Sequence, residues 1–298
     1  MSLKTCTEQG SPAAPVFSRG NFVSIFFRSF FIQAGWNYER FQNLGFAFAI
    51  TPALKKIYAP GPALNSAVLR HLGQFNTQPY MAGFVLGNTV KMEETFSRGP
   101  GGAGLEKSML GVKSALASGF AAIGDRVFWG RLKPLTTQIC IVVWLLTGFY
   151  GWLFTGTEFR PSMAALFGGP LAGMAVYGAF AVYLRWTGLK RGYACGGGSN
   201  CGLDALNWPG LIRALSVTGF AFSLLIVLAA FGLLVVCGWP GESGAGLVIK
   251  AAPVLAVMVL QRVTRKFGRS IFFAMGIVLA VSAVLFAFSG PGGWGMRI

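Results

Sequence analysis

Beyond residue 136 the chain alternates long apolar runs with short loops that hold most of that half's charge. This pattern limits what the chain can fold into more than any other feature. The runs lie at about 137–155, 163–185, 217–237, 249–261 and 271–289. A helix of roughly 20 apolar residues crosses the hydrocarbon core of a bilayer, where irregular backbone facing lipid is not tolerated. The prediction is therefore an all-α, polytopic membrane protein with about five spanning or near-spanning helices after residue 136. The run at 249–261 is short, so it is expected to tilt, to thin the bilayer or to re-enter. Arg126, Arg131 and Lys133 precede the first run. Arg185, Lys190, Arg191 and Arg213 accompany the end of the second, and Arg262, Arg265, Lys266 and Arg269 follow the fourth. The alternate loops carry one Arg each at most. By the positive-inside rule, residues 1–136 lie on the cytoplasmic side or dip in from it, and the C-terminus lies outside.

Composition agrees. Charged residues make up 11% of the chain, against about 25% in ordinary soluble domains. A net charge of +16 could suggest a nucleic-acid partner, but the basic residues sit between apolar runs and not along one polar face. No nucleic acid is expected. Residues 1–20 are polar, lack an apolar signal core and read as a flexible cytoplasmic tail.

The N-terminal half is organised differently. Residues 21–32, NFVSIFFRSFFI, place five phenylalanines around Arg28, which suits an interfacial amphipathic helix or a subunit contact. Gln33, Trp36, Asn37 and Arg40 follow at i, i+3, i+4 and i+7, and on a helix they would share one face. Glu39 and Asn43 would form an i, i+4 pair beside it. Amides both donate and accept hydrogen bonds, and an indole can cover the apolar face of a sugar ring, so such a face suits a hydroxyl-rich ligand. Pro52 is expected to interrupt any helix there. Pro62 suits the first position of a helix running from about Ala63 to Phe75, and Pro79 favours its end. Residues 80–94 read as a short helix and SRGPGGAG at 97–104 as a linker. Small residues through 105–123 suit close helix packing, as does the Gly169-x-x-x-Gly173 pair in the second apolar run. The organisation expected is a tail at 1–20, a broken-helix contact region at 21–96, a linker at 97–104, a small-residue helix with a Gly-Asp motif at 105–136, and transmembrane helices at 137–298.

Little in the chain could do covalent chemistry. His71 is the one histidine and has no acid or base beside it in sequence, so a hydrogen-bonding role, a substrate or subunit contact and a phosphoryl-carrier role all stay open. Glu39 fits an ion pair or a ligand contact, and Asp125 a helix cap or a functional role. Glu93 and Glu94 adjoin apolar sequence, where a carboxylate needs a partner or a task. Nucleotide fingerprints, metal-ligand clusters and nucleophile triads are missing from the sequence, so neither catalysis by this chain alone nor a cofactor or metal is expected.

Several motifs carry a resemblance. They are Arg28-Ser29, Gln33-x-x-Trp36-Asn37-Tyr38-Glu39-Arg40-x-Gln42-x-x-Gly45-Phe46, Pro52-Ala53-Leu54-Lys55-Lys56-x-Tyr58 and Arg70-His71-Leu72. Phe75-Asn76-Thr77-Gln78-Pro79-Tyr80, Met92-Glu93-Glu94 and Gly124-Asp125-x-x-Phe128-Trp129-Gly130 complete the set. The sequence resembles the IID subunits of the mannose/fructose/sorbose family of the bacterial phosphotransferase system, strongly over 28–135 and by hydropathy and length beyond. The resemblance implies a multi-pass protein of the bacterial inner membrane that works with a IIC membrane subunit. Together the two would carry a hexose, while soluble IIA and IIB proteins supply the phosphoryl group and lipid surrounds the complex. It also implies that Gln33, Trp36, Asn37, Asn76 and Gln78 line the sugar path or the IIC contact, with Glu39, Arg40, His71, Asp125 and Trp129 as further candidates. The chain departs from the family pattern at four places. Arg126 stands where the family has proline, Ser118-Gly119 replaces Gly-Pro, Gly73-Gln74 replaces Glu-Phe, and Lys91 replaces a small residue. These departures leave room for an alternative, a membrane scaffold or regulatory subunit that keeps the fold without carrying sugar.

Overall fold

The computed structural model describes residues 18–99, 102–147, 162–196 and 203–237, with scattered residues between 259 and 281. Contacts divide the chain into Met1–Ile226 and Val227–Ile298. Helices in order are α1 (Arg19–Ser29), α2 (Asn43–Ile57), α3 (Pro62–Arg70), α4 (Ala82–Arg98), α5 (Ala103–Gly124), a π-helical segment (Asp125–Leu132), α6 (Lys133–Leu146), α7 (Met163–Cys195) and α8 (Trp208–Cys237). The all-α expectation holds for the described residues. Two of these helices, Met163–Cys195 and Trp208–Ala230, are long and apolar enough to cross a membrane. The expected runs at 249–261 and 271–289, and the end of the first, fall mostly outside the described residues.

Three local expectations are corrected. Pro52 does not break its helix but sits inside α2. Proline removes the N–H that would bond the carbonyl four residues back, here that of Phe48. Arg28 supplies a replacement, with its guanidinium donating to the Phe48 carbonyl at 3.4 Å and lying 4.5 Å from the Phe48 ring centre. Arg28→Met is therefore expected to cost about 1 kcal/mol, read as a lower thermal midpoint in detergent. Restoring the N–H with Pro52→Ala should recover most of it. Equal losses in the two Pro52 backgrounds would refute this coupling.

The helix expected over Gln33–Asn43 does not form. Residues 30–42 are turns closed by a bridge between Asn37 and Phe41. Asn37 drives this, because its side-chain oxygen accepts from the Arg40 N–H at 2.8 Å, a local bond that competes with helix. Phe41 has a positive φ of 56°. The i, i+3, i+4, i+7 face drawn through Gln33 and Arg40 therefore does not exist. The third helix is also shorter than expected. It starts at Pro62 as predicted but ends at Arg70, because Phe75 leaves it to bridge to Phe41.

The π segment joins α5 to α6 without a break in right-handed backbone. Pro134 has no N–H for the Gly130 carbonyl, and its ring would meet that carbonyl in a regular α-turn; the wider turn before it relieves both.

Long α7 packs along α4 on one side and α6 on the other. Gly83 and Gly87 on α4 face Gly188 and Gly192 on α7, and each of the four leaves no room for a Cβ. A Cβ on Gly87 would overlap the Leu189 carbonyl, and one on Gly192 the Phe84 carbonyl. The predicted Gly169-x-x-x-Gly173 pair does the same against Cys140 and Thr136 of α6. Phe46, Phe84, Phe120 and Phe128 fill the core of this unit, all fully buried. In Val227–Ile298, Leu260, Val263, Phe267, Phe273 and Ile277 help line a cavity of about 460 Å³.

Candidate functional site

Two buried polar layers hold the loops of the N-terminal half. The first is ionic. Arg70, at the last turn of α3, grips Glu93 of α4 with Nε to Oε1 at 2.7 Å and an Nη to Oε2 at 2.6 Å. Tyr58 donates to Glu93 Oε2 at 2.8 Å and accepts from Arg70 at 2.9 Å. His71 completes the set from the loop, its Nε2 lying 2.9 Å from Glu93 Oε1. On the far side of the ring Nδ1 lies 3.4 Å from Nζ of Lys113 on α5. A neutral His71 protonated on Nε2 satisfies both contacts, donating to the carboxylate and accepting from the ammonium.

The electrostatics agree. Burial and then the nearby Lys113 outweigh the Glu93 carboxylate and hold the His71 imidazole below its ordinary range. For Glu93 burial acts upward, but hydrogen bonds from Arg70 and His71 win and bring the carboxyl to about 2. Burial lowers Lys113 to about 8, only partly opposed by Glu93. The Lys113 ammonium also lies 4.1 Å from the centre of the Phe46 ring, a cation–π contact that replaces some lost hydration. Glu106 at the edge, 3.7 Å from Arg70, adds a second carboxylate against two cations.

The second layer is made of amides. Gln42 pairs with the Thr77 backbone like a strand, donating to its carbonyl at 2.9 Å and accepting from its N–H at 3.1 Å. Thr77 donates to the Ala117 carbonyl at 2.9 Å, and Asn43 to the Leu72 carbonyl at 2.8 Å. Asn37 donates to the Asn43 side-chain oxygen at 2.9 Å. The loops at 30–42 and 71–81 are thereby fixed to each other and to α5.

This arrangement sorts the ten sequence candidates. His71 is fully buried in the ionic layer, and Gln78 is buried with its amide oxygen accepting from the Tyr80 N–H. Asn37 is half-buried and used in the turn. Gln33, Trp36, Glu39, Arg40 and Asn76 are exposed. The bond from the Phe75 N–H to the Arg40 carbonyl brings Asn76 beside Arg40. Trp36 packs edge-on against Tyr38 at 4.8 Å, and Tyr38 is 88% exposed, so these rings cap an outward-facing loop. Asp125 and Trp129 are exposed on the π segment, with the Lys133 ammonium 4.4 Å from the Trp129 ring centre. Glu93, Arg70, Tyr58 and Lys113 were not among the candidates. The signal was present for Glu93, an acid next to apolar sequence, but its partners come from three other elements.

Two helices long and apolar enough to cross a membrane, close glycine crossings and loops pinned by buried ions fit a helical membrane protein. Residues 16–227 match the model of the PTS system mannose/fructose/sorbose family IID component. The chain belongs to this family, whose members are non-catalytic membrane subunits of sugar phosphotransferase complexes. It is similar to the fructose permease IID component of Bacillus subtilis, with 32% identity over 173 residues, or 58% of this chain and 56% of that one. Similarity to the sorbose-specific EIID component of Klebsiella pneumoniae is 32% over 179 residues, covering 60% and 58%. For the mannose-specific EIID component of Escherichia coli K12 it is 32% over 173 residues, covering 58% and 54%. The match thus spans little more than half the length of these relatives. Among solved structures the fold is similar to a chain in the cryo-EM structure of the mannose transporter ManYZ with microcin E492, with a TM-score of 0.51, 22% identity and coverage of 94% and 99%. A second structure, described only as a membrane protein, gives a TM-score of 0.58 at 22% identity, covering 91% and 97%.

Proposed function

We propose that this chain forms, with a IIC-type membrane subunit, the path by which a mannose-, fructose- or sorbose-type hexose crosses the inner membrane. The sugar is taken up with phosphorylation by separate IIA and IIB proteins. The observation that carries this reading is the outward loop of Gln33, Trp36, Tyr38 and Arg40, pinned from below by the Gln42–Thr77 pairing. Exposed aromatic rings and amides on a rigid support suit a hydroxyl-rich ligand or a subunit face, and prior ordering lowers the entropy lost on binding. Within this reading the N-terminus is cytoplasmic, the C-terminus is outside, and no residue of this chain is phosphorylated.

The test is uptake of labelled hexoses by cells that express the chain with its IIC, IIA and IIB partners. Trp36→Ala is expected to reduce uptake about tenfold, the effect of losing about 1.4 kcal/mol of interaction, with the assembled complex still recovered. If uptake falls and the complex is lost, the loop is a subunit contact. If both are unchanged, Trp36 has neither role. Failure to take up any hexose with all partners present would favour the scaffold alternative.

A further inference from the structure

The π segment, α6 and α8 frame an open cavity that lies apart from the outward loop assigned to the sugar. Two polar rungs join them, each between residues 85 apart in sequence. Arg131 donates through Nε to the Ser216 hydroxyl at 3.2 Å. Two helical turns on, Gln138 donates through its amide to the Ser223 hydroxyl at 2.6 Å. Between the rungs lies a cavity of about 340 Å³, lined by Gly130, Arg131, Pro134, Leu135 and Gln138 with Leu215, Ser216 and Gly219. Gln138 Oε1 is buried and has no hydrogen-bond partner. It points at Gly219, where a Cβ would come within 3.7 Å of it. A buried carbonyl oxygen left unpaired costs about 1–3 kcal/mol, so this atom calls for a donor, and Gly219 keeps the space for one open.

We infer that this cavity is a binding site for an anionic phospholipid headgroup that carries free hydroxyls, of the phosphatidylglycerol class. Arg131 takes the phosphate, through guanidinium N–H groups other than the one given to Ser216. A headgroup hydroxyl donates to Gln138 Oε1. Leu135 and Leu215 meet the start of the acyl chains. The surroundings favour a lipid over a free phosphate ester. Exposed Val217 and Phe220 adjoin Ser216 and Gly219 on α8, within a helix apolar enough to cross a membrane. Arg126, Lys133 and Arg213 add exposed basic residues on these elements, and Trp129 is 57% exposed, as expected of an aromatic at the membrane interface. The π turn contributes by setting Gly130 and Arg131 at the cavity wall.

The test is native mass spectrometry of the full chain, with any co-purifying partner, released from nanodiscs of phosphatidylcholine containing one-tenth phosphatidylglycerol. The wild type should retain phosphatidylglycerol at least tenfold above its share of the bilayer. Gly219→Leu, which fills the cavity without removing a charge, should lower that retention at least fivefold, and Arg131→Gln should do the same. Lys55→Gln, exposed on α2 and outside the cavity lining, removes one positive charge elsewhere and should leave retention unchanged, which separates a site from general charge attraction. Unchanged retention in Gly219→Leu overturns the proposal, as does equal retention of the two lipids. Displacement of the lipid by millimolar glycerol phosphate would reassign the site to a soluble ester and overturn the lipid assignment. Hexose uptake is not part of the readout, so this result stands or falls apart from the transport proposal.

Discussion

Glu93→Gln is expected to destabilise the protein by about 3–5 kcal/mol, the effect of removing one partner from a buried ion pair. The substitution keeps shape and volume. It removes the carboxylate that neutralises Arg70, accepts from Tyr58 and His71 and offsets Lys113. Two cations then remain in a layer where Glu93 and His71 are fully buried. A thermal midpoint in detergent should fall by several degrees, and Lys113→Met in the same chain should restore part of it by removing one uncompensated cation. A midpoint within a degree of wild type would show that the layer is wetter than its burial indicates.

The pH dependence follows from the same layer. The Glu93 carboxyl is held at about 2 against an ordinary 4.5, so its stabilisation is complete above about 4.5 and is lost as pH falls from there toward 2. Lys113 has the opposite consequence. Its folded value of about 8 lies below the ordinary 10.5, so the unfolded chain binds more protons between the two and stability rises with pH from about 8. Lys113→Met should flatten that alkaline rise and leave the acid limb in place, while Glu93→Gln should flatten the acid limb. Urea or thermal titrations at fixed pH values separate the two.

The second large effect is expected at the crossing of α4 and α7. Gly87→Leu or Gly192→Leu drives a side chain into the facing backbone, at Leu189 and Phe84 respectively. Backbone cannot move aside as a flexible side chain can, so the expected cost is about 3 kcal/mol or more, with a large loss of folded protein on size exclusion. Gly178→Leu is the control, since a Cβ there meets nothing within 4 Å on the same helix. Equal recovery of all three variants would mean that these helices do not cross as described.

The physical reason each part of this protein could or could not be read from sequence is the range of the interaction involved. Membrane class follows from apolar runs and loop charge, which act over one segment at a time. Family membership follows from motifs that are contiguous in the chain. Pro62 at the start of α3 and the glycine pair at 169 and 173 follow from local geometry. The loop at 30–42 failed because helical spacing was drawn through Asn37, whose side chain forms a competing turn, and because Phe75 pairs with Phe41 from 34 residues away. Pro52 lies inside a helix because Arg28, on another element, replaces the missing donor. Glu93 could be singled out as an acid beside apolar sequence, but nothing local assigns it Arg70, His71, Tyr58 and Lys113 together. The sequence by itself determined where the chain is apolar and which family it belongs to. Only the tertiary structure decided which charges are buried against each other and which glycines meet backbone, because both depend on contacts between elements distant in the chain.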